Sequence, residues 1–321
     1  MPSEVFLSRQ ATIFPTQEFR EKERKMVEND TYQLLAKKVE LYYDPTSQYC
    51  GINYKLDTDN RLQDISEYPI KETQSKEGAV VVFEFPILLD GRVPPGAYII
   101  GHDPYATDAE QGSMATIYVM KTSKYAMEIG HNEIVACYVG RPFAGKAAVN
   151  EILMKLSLFY GNAKIYFENN VGNVKEYFEK HKRLDLLASR PRTVLSKKAA
   201  HEGADVLEYG YPMSNQHIKK EAIGYLRDWY LEVHHEQDGK VYRHLDLIPD
   251  IGLIKESQAF NFDGNFDRVM AMCGCIIGLR ETENQFKNSV YRKEDNSVDL
   301  SFITKNKALF HESLSDPTSV L

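Results

Sequence analysis

The chain has 321 residues and 43% hydrophobic content, enough for one sizeable domain with an appendage or for two small domains. Its net charge of -7 excludes a global basic field that would draw it to nucleic acid, although a local basic face is compatible with it. No run approaches 18 apolar residues and no signal-peptide pattern begins the chain, so no membrane association is expected. The four cysteines lack zinc-type spacing and are expected to be reduced core thiols, which fits a cytoplasm.

The first 90 residues are charged and mixed, with short alternating stretches. Thr16 is a candidate N-cap, and helices are predicted over 16–29 and 31–38. A β-like alternating run follows at 79–85, and a Pro-Pro-Gly break follows at 94–96. We therefore predict an appendage over 1–90 and a domain boundary at or just before the break.

A regular succession of elements begins at Ala97. Strands are predicted over 97–102, 115–121 and 133–140. They are followed by an amphipathic helix over 146–160, a strand over 164–168, a helix over 174–181 and a short strand over 184–189. This is the element order of a ribonuclease H-like fold. Crossover helices imply parallel pairs, so the prediction is an α/β domain with a mixed sheet flanked by helices.

The remaining sequence completes the predicted domain over 91–285. A basic loop spans 190–215 and is followed by a helix over 216–232, which Ser214 or Asn215 caps. A hairpin turns at Asp238-Gly239, and a last helix covers 267–279. The polar segment 286–321 is predicted to be a loose tail.

Three acidic residues stand in three different settings. Asp103 and Glu168 each end an apolar strand, and Asp267 opens the last helix. Carboxylates at two strand ends and a helix start can converge, and we expect these within about 4–8 Å of one another, the reach of a two-metal site. Singly, each acid also has a structural explanation: Asp103 suits a turn before Pro104, and Asp267 suits a helix cap.

Converging carboxylates repel one another unless cations lie between them. Oxygen ligands with few histidines favour two Mg²⁺ or Mn²⁺ ions and phosphate chemistry. Asp103 would bridge both ions, and Glu168 and Asp267 would each hold one side. Asp263 is a possible accessory ligand, and Asp108 and His102 are weaker candidates.

One segment nearly matches a phosphate-binding loop. Residues 140–146 have the G-x-x-x-x-G-K spacing between a strand and a helix. The next residue is Ala147, where the motif needs a hydroxyl for Mg²⁺. An ordinary strand-to-helix loop is therefore the favoured interpretation, and no complete ATPase motif is present.

Four short motifs resemble the large terminase subunit of tailed phages, in its C-terminal nuclease domain. They are Tyr-Ile-Ile-Gly-His-Asp-Pro at 98–104, Ile-Tyr-Phe-Glu-Asn-Asn at 165–170, the lead-in at 248–256, and Asn-Phe-Asp-Arg-Val-Met-Ala at 265–271. The segment before residue 16 is similar to the end of the packaging ATPase and its linker. The order of the motifs is more specific than any one of them.

The resemblance implies a ribonuclease H-like nuclease that cuts concatemeric viral double-stranded DNA during genome packaging. It implies metal-binding roles for Asp103, Glu168 and Asp267. It also implies the terminase ATPase part, the small terminase subunit and the portal as partners, in the cytoplasm of a bacterial host. The basic residues Arg190, Arg192, Lys197 and Lys198, together with Lys219 and Lys220 early in the following helix, are either DNA contacts or a solvated loop and helix face.

Two other classes of function stay open. Another ribonuclease H-like nuclease is one, either a resolvase or an RNA–DNA hybrid nuclease; the latter would carry an acid at Glu151. Proofreading exonucleases are disfavoured, because their first strand carries Asp-x-Glu and Tyr105 stands at the second acidic position. A non-catalytic module that docks to a portal or motor protein is the other class.

Overall fold

The computed structural model describes residues 13–71, 73–105, 112–125, 130–171, 173–191 and 208–294, with side chains as far as residue 283. The chain divides into two compact units, Met1–Glu281 and Thr282–Leu321. Of the second unit, the described part is helix as far as Glu294. The architecture below is that of the first unit.

Among the described residues, an N-terminal helical pair is followed by six strands, a helix, a strand, two helices, two further strands and three helices. The helices are α1 (Thr16–Glu28), α2 (Thr31–Leu35), α3 (Lys146–Phe159), α4 (Val174–Lys180), α5 (Gln216–Leu231), α6 (His244–Leu247), α7 (Ile251–Ala259) and α8 (Asp267–Glu294). The strands are β1 (Lys37–Tyr43), β2 (Ile52–Leu56), β3 (Val80–Val82), β4 (Tyr98–Asp103), β5 (Ala115–Lys121), β6 (Ile134–Gly140), β7 (Lys164–Phe167), β8 (Val233–Gln237) and β9 (Lys240–Arg243).

Seven strands form one mixed sheet in the order β2-β1-β3-β6-β5-β4-β7, and β8 and β9 form a separate hairpin. Neighbouring strands are antiparallel except for β4 and β7, which run parallel. Beyond β7, Ile165 makes a parallel bridge to Leu187. Three antiparallel strands, a crossover helix and a strand parallel to the first are the ribonuclease H-like arrangement, so the predicted α/β fold class is confirmed.

The N-terminal segment extends this sheet. Strand β3 pairs with β6 and β1 pairs with β3, while α1 packs against α7 and buries Phe19 and Met26. The helix predicted to residue 38 ends at Leu35, because Lys37–Tyr43 is a strand paired on both sides. Whether 91–285 folds without 1–90 stays a prediction, which a truncation beginning at residue 91 tests.

Three further elements differ from their predictions. Helix α8, predicted over 267–279, continues to Glu294 and so includes the start of the segment 286–321 that was predicted to be a loose tail. The strand predicted over 184–189 is a 3-10 turn, Leu184–Leu186, followed by single bridges at Leu187 and Ser189. Helix α7 was not predicted, because Ile251–Ala259 is buried almost throughout and therefore shows no amphipathic period. The hairpin at Asp238 and the helix after Asn215 are present as predicted.

Helices cover both faces of the central strands, which is why β4, β5 and β6 are buried along their whole length. In β4, Tyr98 and Ile100 belong to the core with α3, whereas Ile99 belongs to the core with α8. Strand alternation places His102 with the first group and Asp103 with the second. The helix that carries Asp267 therefore covers the face toward which Asp103 points.

Close contact between β4 and α8 depends on Gly101. A Cβ atom there would lie 2.2 Å from the carbonyl oxygen of Ala271 and 2.5 Å from the backbone nitrogen of Cys275. Gly101→Ala is therefore expected to cost about 1–3 kcal/mol of unfolding free energy, or to prevent folding, because backbone must separate from backbone.

Gly224 provides the matched control, because it lies inside α5 with open space around its Cα. Gly224→Ala is expected to stabilise the protein by up to about 1 kcal/mol through helix propensity. Urea unfolding measures both variants. Equal effects would contradict the close packing of α8 on β4.

Candidate active site

Asp103 and Glu168 are placed side by side by the parallel pairing of β4 and β7. Gly101 pairs with Tyr166 and His102 with Phe167, and the Glu168 N–H donates to the His102 carbonyl at 3.3 Å. Parallel neighbours end at the same edge of a sheet, so both carboxyl groups stand at one rim.

Asp267 comes to this rim from the opposite direction, as the first residue of α8. Its Oδ2 accepts the Met114 N–H at 2.8 Å, and its Oδ1 accepts the Ser113 hydroxyl at 2.9 Å. Asn265 donates a third, longer bond at 3.3 Å. These bonds tie the start of α8 to the start of β5, the strand beside β4.

All three acids line a single cavity of about 650 Å³. Besides Asp103, Glu168 and Asp267, polar groups come from the loop before β5, the loop before α8 and the start of α5. They are Ser113, Asn265, Ser214, Gln216 and Lys219. The sequence prediction that these acids belong to one site is thus consistent with where the side chains lie.

The environment of each acid disfavours its charged form. Burial, then the charges of Asp267 and Glu168, raise the pKa of Asp103 well above its usual range. Burial also raises the pKa of Asp267, although the Met114 and Ser113 donors oppose the shift. Burial likewise raises the pKa of Glu168 against the lowering effects of Asn170 and Lys219.

Of the three acids, Asp103 has the fewest donors or cations nearby to offset the burial of its carboxylate. It is 8% exposed, and among the described residues no donor or cation lies within bonding distance of its carboxylate. A buried carboxylate normally finds hydrogen-bond donors or a cation. Asp103 is therefore the group in the cavity with most to gain from a bound cation.

The acids do not yet enclose a metal site. Within the described parts of the chain, no three His, Cys, Asp or Glu side chains are clustered tightly enough to hold an ion as they stand. The side-chain oxygen ligands available in the cavity come from the three carboxylates and from Ser113, Ser214, Gln216 and Asn265. Such a set suits Mg²⁺ or Mn²⁺ once the side chains close on it.

The weaker ligand candidates that the structure describes lie away from the cavity, and Asp108 lies outside the described residues. Asp263 is exposed in the turn before α8, where its N–H donates to Asn261, and it does not line the cavity. His102 points to the other face of the sheet, where its Nδ1 is 2.9 Å from the Thr116 carbonyl oxygen. Glu151 pairs with Lys155 at 3.0 Å on α3 and also lies outside the cavity lining.

Of the four basic residues predicted in the loop after residue 189, Arg190 is among those that the structure describes. It forms an ion pair with Glu208 and lines a neighbouring cavity with Asn169 and Asn170. Arg192, Lys197 and Lys198 lie outside the described residues. DNA contact by these four residues stays a prediction.

The loop at 140–146 follows β6 at the same rim of the sheet as Asp103. Gly140 pairs with Ala115 of β5, and the next residue of β5, Thr116, pairs with Asp103. The Lys146 ammonium lies 6.0 Å from the centre of the Tyr105 ring, and Phe143 is 99% exposed. Gly145 and Lys146 begin α3 with no side-chain cap.

A buried ionic network behind the cavity was not predicted from the sequence. The Glu256 carboxylate accepts the backbone N–H groups of Arg268 and Val269, and the Arg268 guanidinium lies 3.1 Å from Glu256 and 3.7 Å from Asp250. Arg268 directly follows Asp267, so this network fixes the first turn of α8. The helical period of the sequence places Arg268 in a helix, but it does not indicate that Glu256 and Asp250 are its partners.

Together, the fold and the cavity define a ribonuclease H-like α/β protein with a carboxylate-lined cavity at the rim of its central sheet. No family model and no curated protein matches the chain. The chain is similar in structure to the large terminase nuclease of the thermophilic phage G20c. Its zinc-bound, magnesium-bound and cobalt-bound crystal structures match at 14, 13 and 14% identity and TM-scores of 0.38, 0.39 and 0.38.

These matches cover 66–67% of this chain and 90–91% of the solved chains. Because the superposition is loose, the roles of the cavity residues rest on the geometry given above. No helix in the described part of the chain is long and apolar enough to cross a bilayer.

Proposed function

We propose that this chain is a divalent-metal-dependent DNA endonuclease. The observation that carries the proposal is the cavity at the rim of the sheet, where three acids from three separate elements meet and Asp103 is buried without a donor or cation among the described residues. Burying a carboxylate alone costs several kcal/mol or forces it to take up a proton. A cation bound in the cavity would remove that cost.

The carboxylates are suited to hold two cations between them. Asp103, on the central strand, would bridge both ions, while Glu168 and Asp267 would each hold one. Two bound Mg²⁺ or Mn²⁺ ions would activate a water and neutralise charge on the scissile phosphate. The donors now on Asp267 come from Ser113, Met114 and Asn265, and they would keep its carboxylate oriented as the acids close.

The biological setting comes from the motif resemblance to large terminase subunits. On that basis we propose double-stranded DNA as substrate and genome packaging as the process, with concatemeric viral DNA cut at its start and end. The terminase ATPase part, the small terminase subunit and the portal would be the partners, in the cytoplasm of the bacterial host.

The alternative functions receive less support from the geometry. An RNA–DNA hybrid nuclease would use Glu151, which instead pairs with Lys155 outside the cavity lining. A resolvase would share the three acids and differ in its preference for branched DNA. A docking module gives no reason to gather three carboxylates in a single buried cavity.

Plasmid nicking tests the proposed activity. Supercoiled plasmid is incubated with the protein and Mg²⁺, Mn²⁺ or EDTA, and relaxed and linear forms are quantified. Either metal is expected to support cleavage, and EDTA is expected to stop it. Cleavage that persists in EDTA would overturn the metal-dependent mechanism, and preference for a four-way junction or an RNA–DNA hybrid would favour the alternative nucleases.

DNA binding is expected to be weak, independent of sequence and sensitive to salt. With a net charge of -7, affinity must come from a local patch. Each phosphate contact contributes a slope of about -0.9 in log affinity against log salt, so two to four contacts predict a loss of about one to two orders of magnitude between 50 and 200 mM.

The double change of Lys197 and Lys198 to Ala tests the basic loop. It is expected to weaken binding evenly across sequences, because phosphate contacts carry no sequence information. Fluorescence anisotropy on two unrelated duplexes measures the effect. Unchanged binding and nicking would show that the loop is a solvated surface.

A further inference from the structure

Lys219 is the cationic residue among those that line the acid cavity. It lies in the first turn of α5, whose start Asn215 caps by accepting the His217 and Ile218 N–H groups. Burial raises the pKa of Asp103 and of Glu168, and the charge of Lys219 partly opposes both shifts, so its ammonium lies within electrostatic reach of both carboxylates.

Despite that proximity, Lys219 forms no ion pair with any described residue. Across the described ranges, no carboxylate lies within 4.0 Å of its ammonium, which donates no hydrogen bond to them. Lysines elsewhere in the fold do pair: Lys155 contacts Glu151, and Lys121 contacts both Glu84 and Glu133, each at 3.0 Å. Lys219 thus faces the cavity with its donors unused.

We propose that Lys219 is a phosphate-binding residue that anchors the DNA backbone at the acid cavity. The inference rests on the proposed function and adds the group that receives the substrate. Three carboxylates repel a phosphodiester, and an ammonium on the cavity wall supplies an attraction at the place where the phosphate must arrive. Ser214 and Gln216 line the same wall and offer neutral donors beside it.

The competing explanation is structural: Lys219 would only relieve repulsion among the acids. The two explanations differ in what DNA binding shows. A phosphate contact adds about 0.9 to the steepness of log affinity against log salt, whereas relief of repulsion inside the protein adds no such contact. They also differ in kinetics, because loss of a charged hydrogen bond to the substrate lowers kcat/KM by about 10- to 100-fold.

The experiment compares Lys219→Ala, Lys219→Arg and the control Lys220→Ala in the full chain. Lys220 is the exposed neighbour in the same helical turn and does not line the cavity. Binding of a short duplex is followed by anisotropy from 50 to 200 mM salt in Ca²⁺, a hard cation that takes the same oxygen ligands. Nicking is followed in Mg²⁺, with thermal unfolding as a check on folding.

We expect Lys219→Ala to weaken binding and to make the salt dependence shallower by about 0.9, with Lys219→Arg close to wild type and Lys220→Ala unchanged. A Lys219→Ala protein that is folded and keeps the wild-type salt slope and kcat/KM would overturn the proposal. If it keeps the wild-type slope but loses stability, the residue is structural and the proposal also fails.

These outcomes are separable from failure of the proposed function. If Lys219→Ala cleaves like wild type while Asp103→Asn is inactive, the nuclease function is supported and the phosphate-binding role of Lys219 is rejected. If wild type does not cleave with any divalent metal, the nuclease assignment falls, and the salt slope in Ca²⁺ still decides whether Lys219 binds phosphate.

Discussion

Asp103→Asn is expected to abolish cleavage, lowering kcat by about 10³-fold or more, and at the same time to raise the melting temperature of the metal-free protein. An amide keeps the shape of the side chain but cannot bridge two cations, whose contribution to the transition state is several kcal/mol. It also removes a buried charge that has no donor among the described residues. A gain of about 1 kcal/mol corresponds to about 2–4 °C for a protein of this size.

Nicking assays and thermal melts with and without Mg²⁺ measure the two effects. Added Mg²⁺ should stabilise the wild type and leave Asp103→Asn unchanged, because a ligand stabilises only the state that binds it. Asp59→Asn is the control, since Asp59 is an exposed acid in the turn after β2 and should alter neither property. An Asp103→Asn protein with wild-type cleavage would contradict the role of the acid as a metal ligand.

Arg268→Ala is expected to cost about 3–5 kcal/mol of unfolding free energy. Arg268 is 1% exposed, and its removal leaves Glu256 and Asp250 buried and without their cation. The first turn of α8 would lose its fixed position, and Asp267 with it. Cleavage by any folded fraction should therefore fall as well.

The matched control for Arg268→Ala is Lys255→Ala. Lys255 forms an ion pair with Glu67 at 2.8 Å in which the Glu67 side chain is 53% exposed. A pair of this kind contributes at most about 1 kcal/mol. Urea unfolding compares the variants, and a similar loss in both would show that the network under α8 is no more important than a surface ion pair.

The central part of the fold was predictable because its signals are local. Strands β4 to β6 are long apolar runs between turn residues, and α3 has a clear apolar period. The element order then leaves few topologies open. Strand β1 was not predicted, and its first two residues were assigned to a helix, because Lys37–Tyr43 gains its structure from pairing with β2 and β3, which a local pattern does not contain.

The residues of the candidate site also differ in whether a local sequence signal reveals them. Asp103 and Glu168 could be found because each is an acid at the end of an apolar strand, and Asp267 because it opens a helix. Lys219 could be named only as one of several basic residues that either contact DNA or are solvated, since its place on the cavity wall depends on how α5 packs. Glu256 was also hidden, because the role of an acid in the middle of a buried helix depends on a partner that folding brings to it.

A crystal of the protein soaked in Mn²⁺ tests the central claim most directly, through the anomalous scattering of the metal. We expect two peaks about 4 Å apart in the cavity, with Asp103 in contact with both and Glu168 and Asp267 each in contact with one. The same soak of Asp103→Asn should lose at least one peak. A wild-type map without metal among these carboxylates, at Mn²⁺ concentrations that support cleavage, would contradict the account.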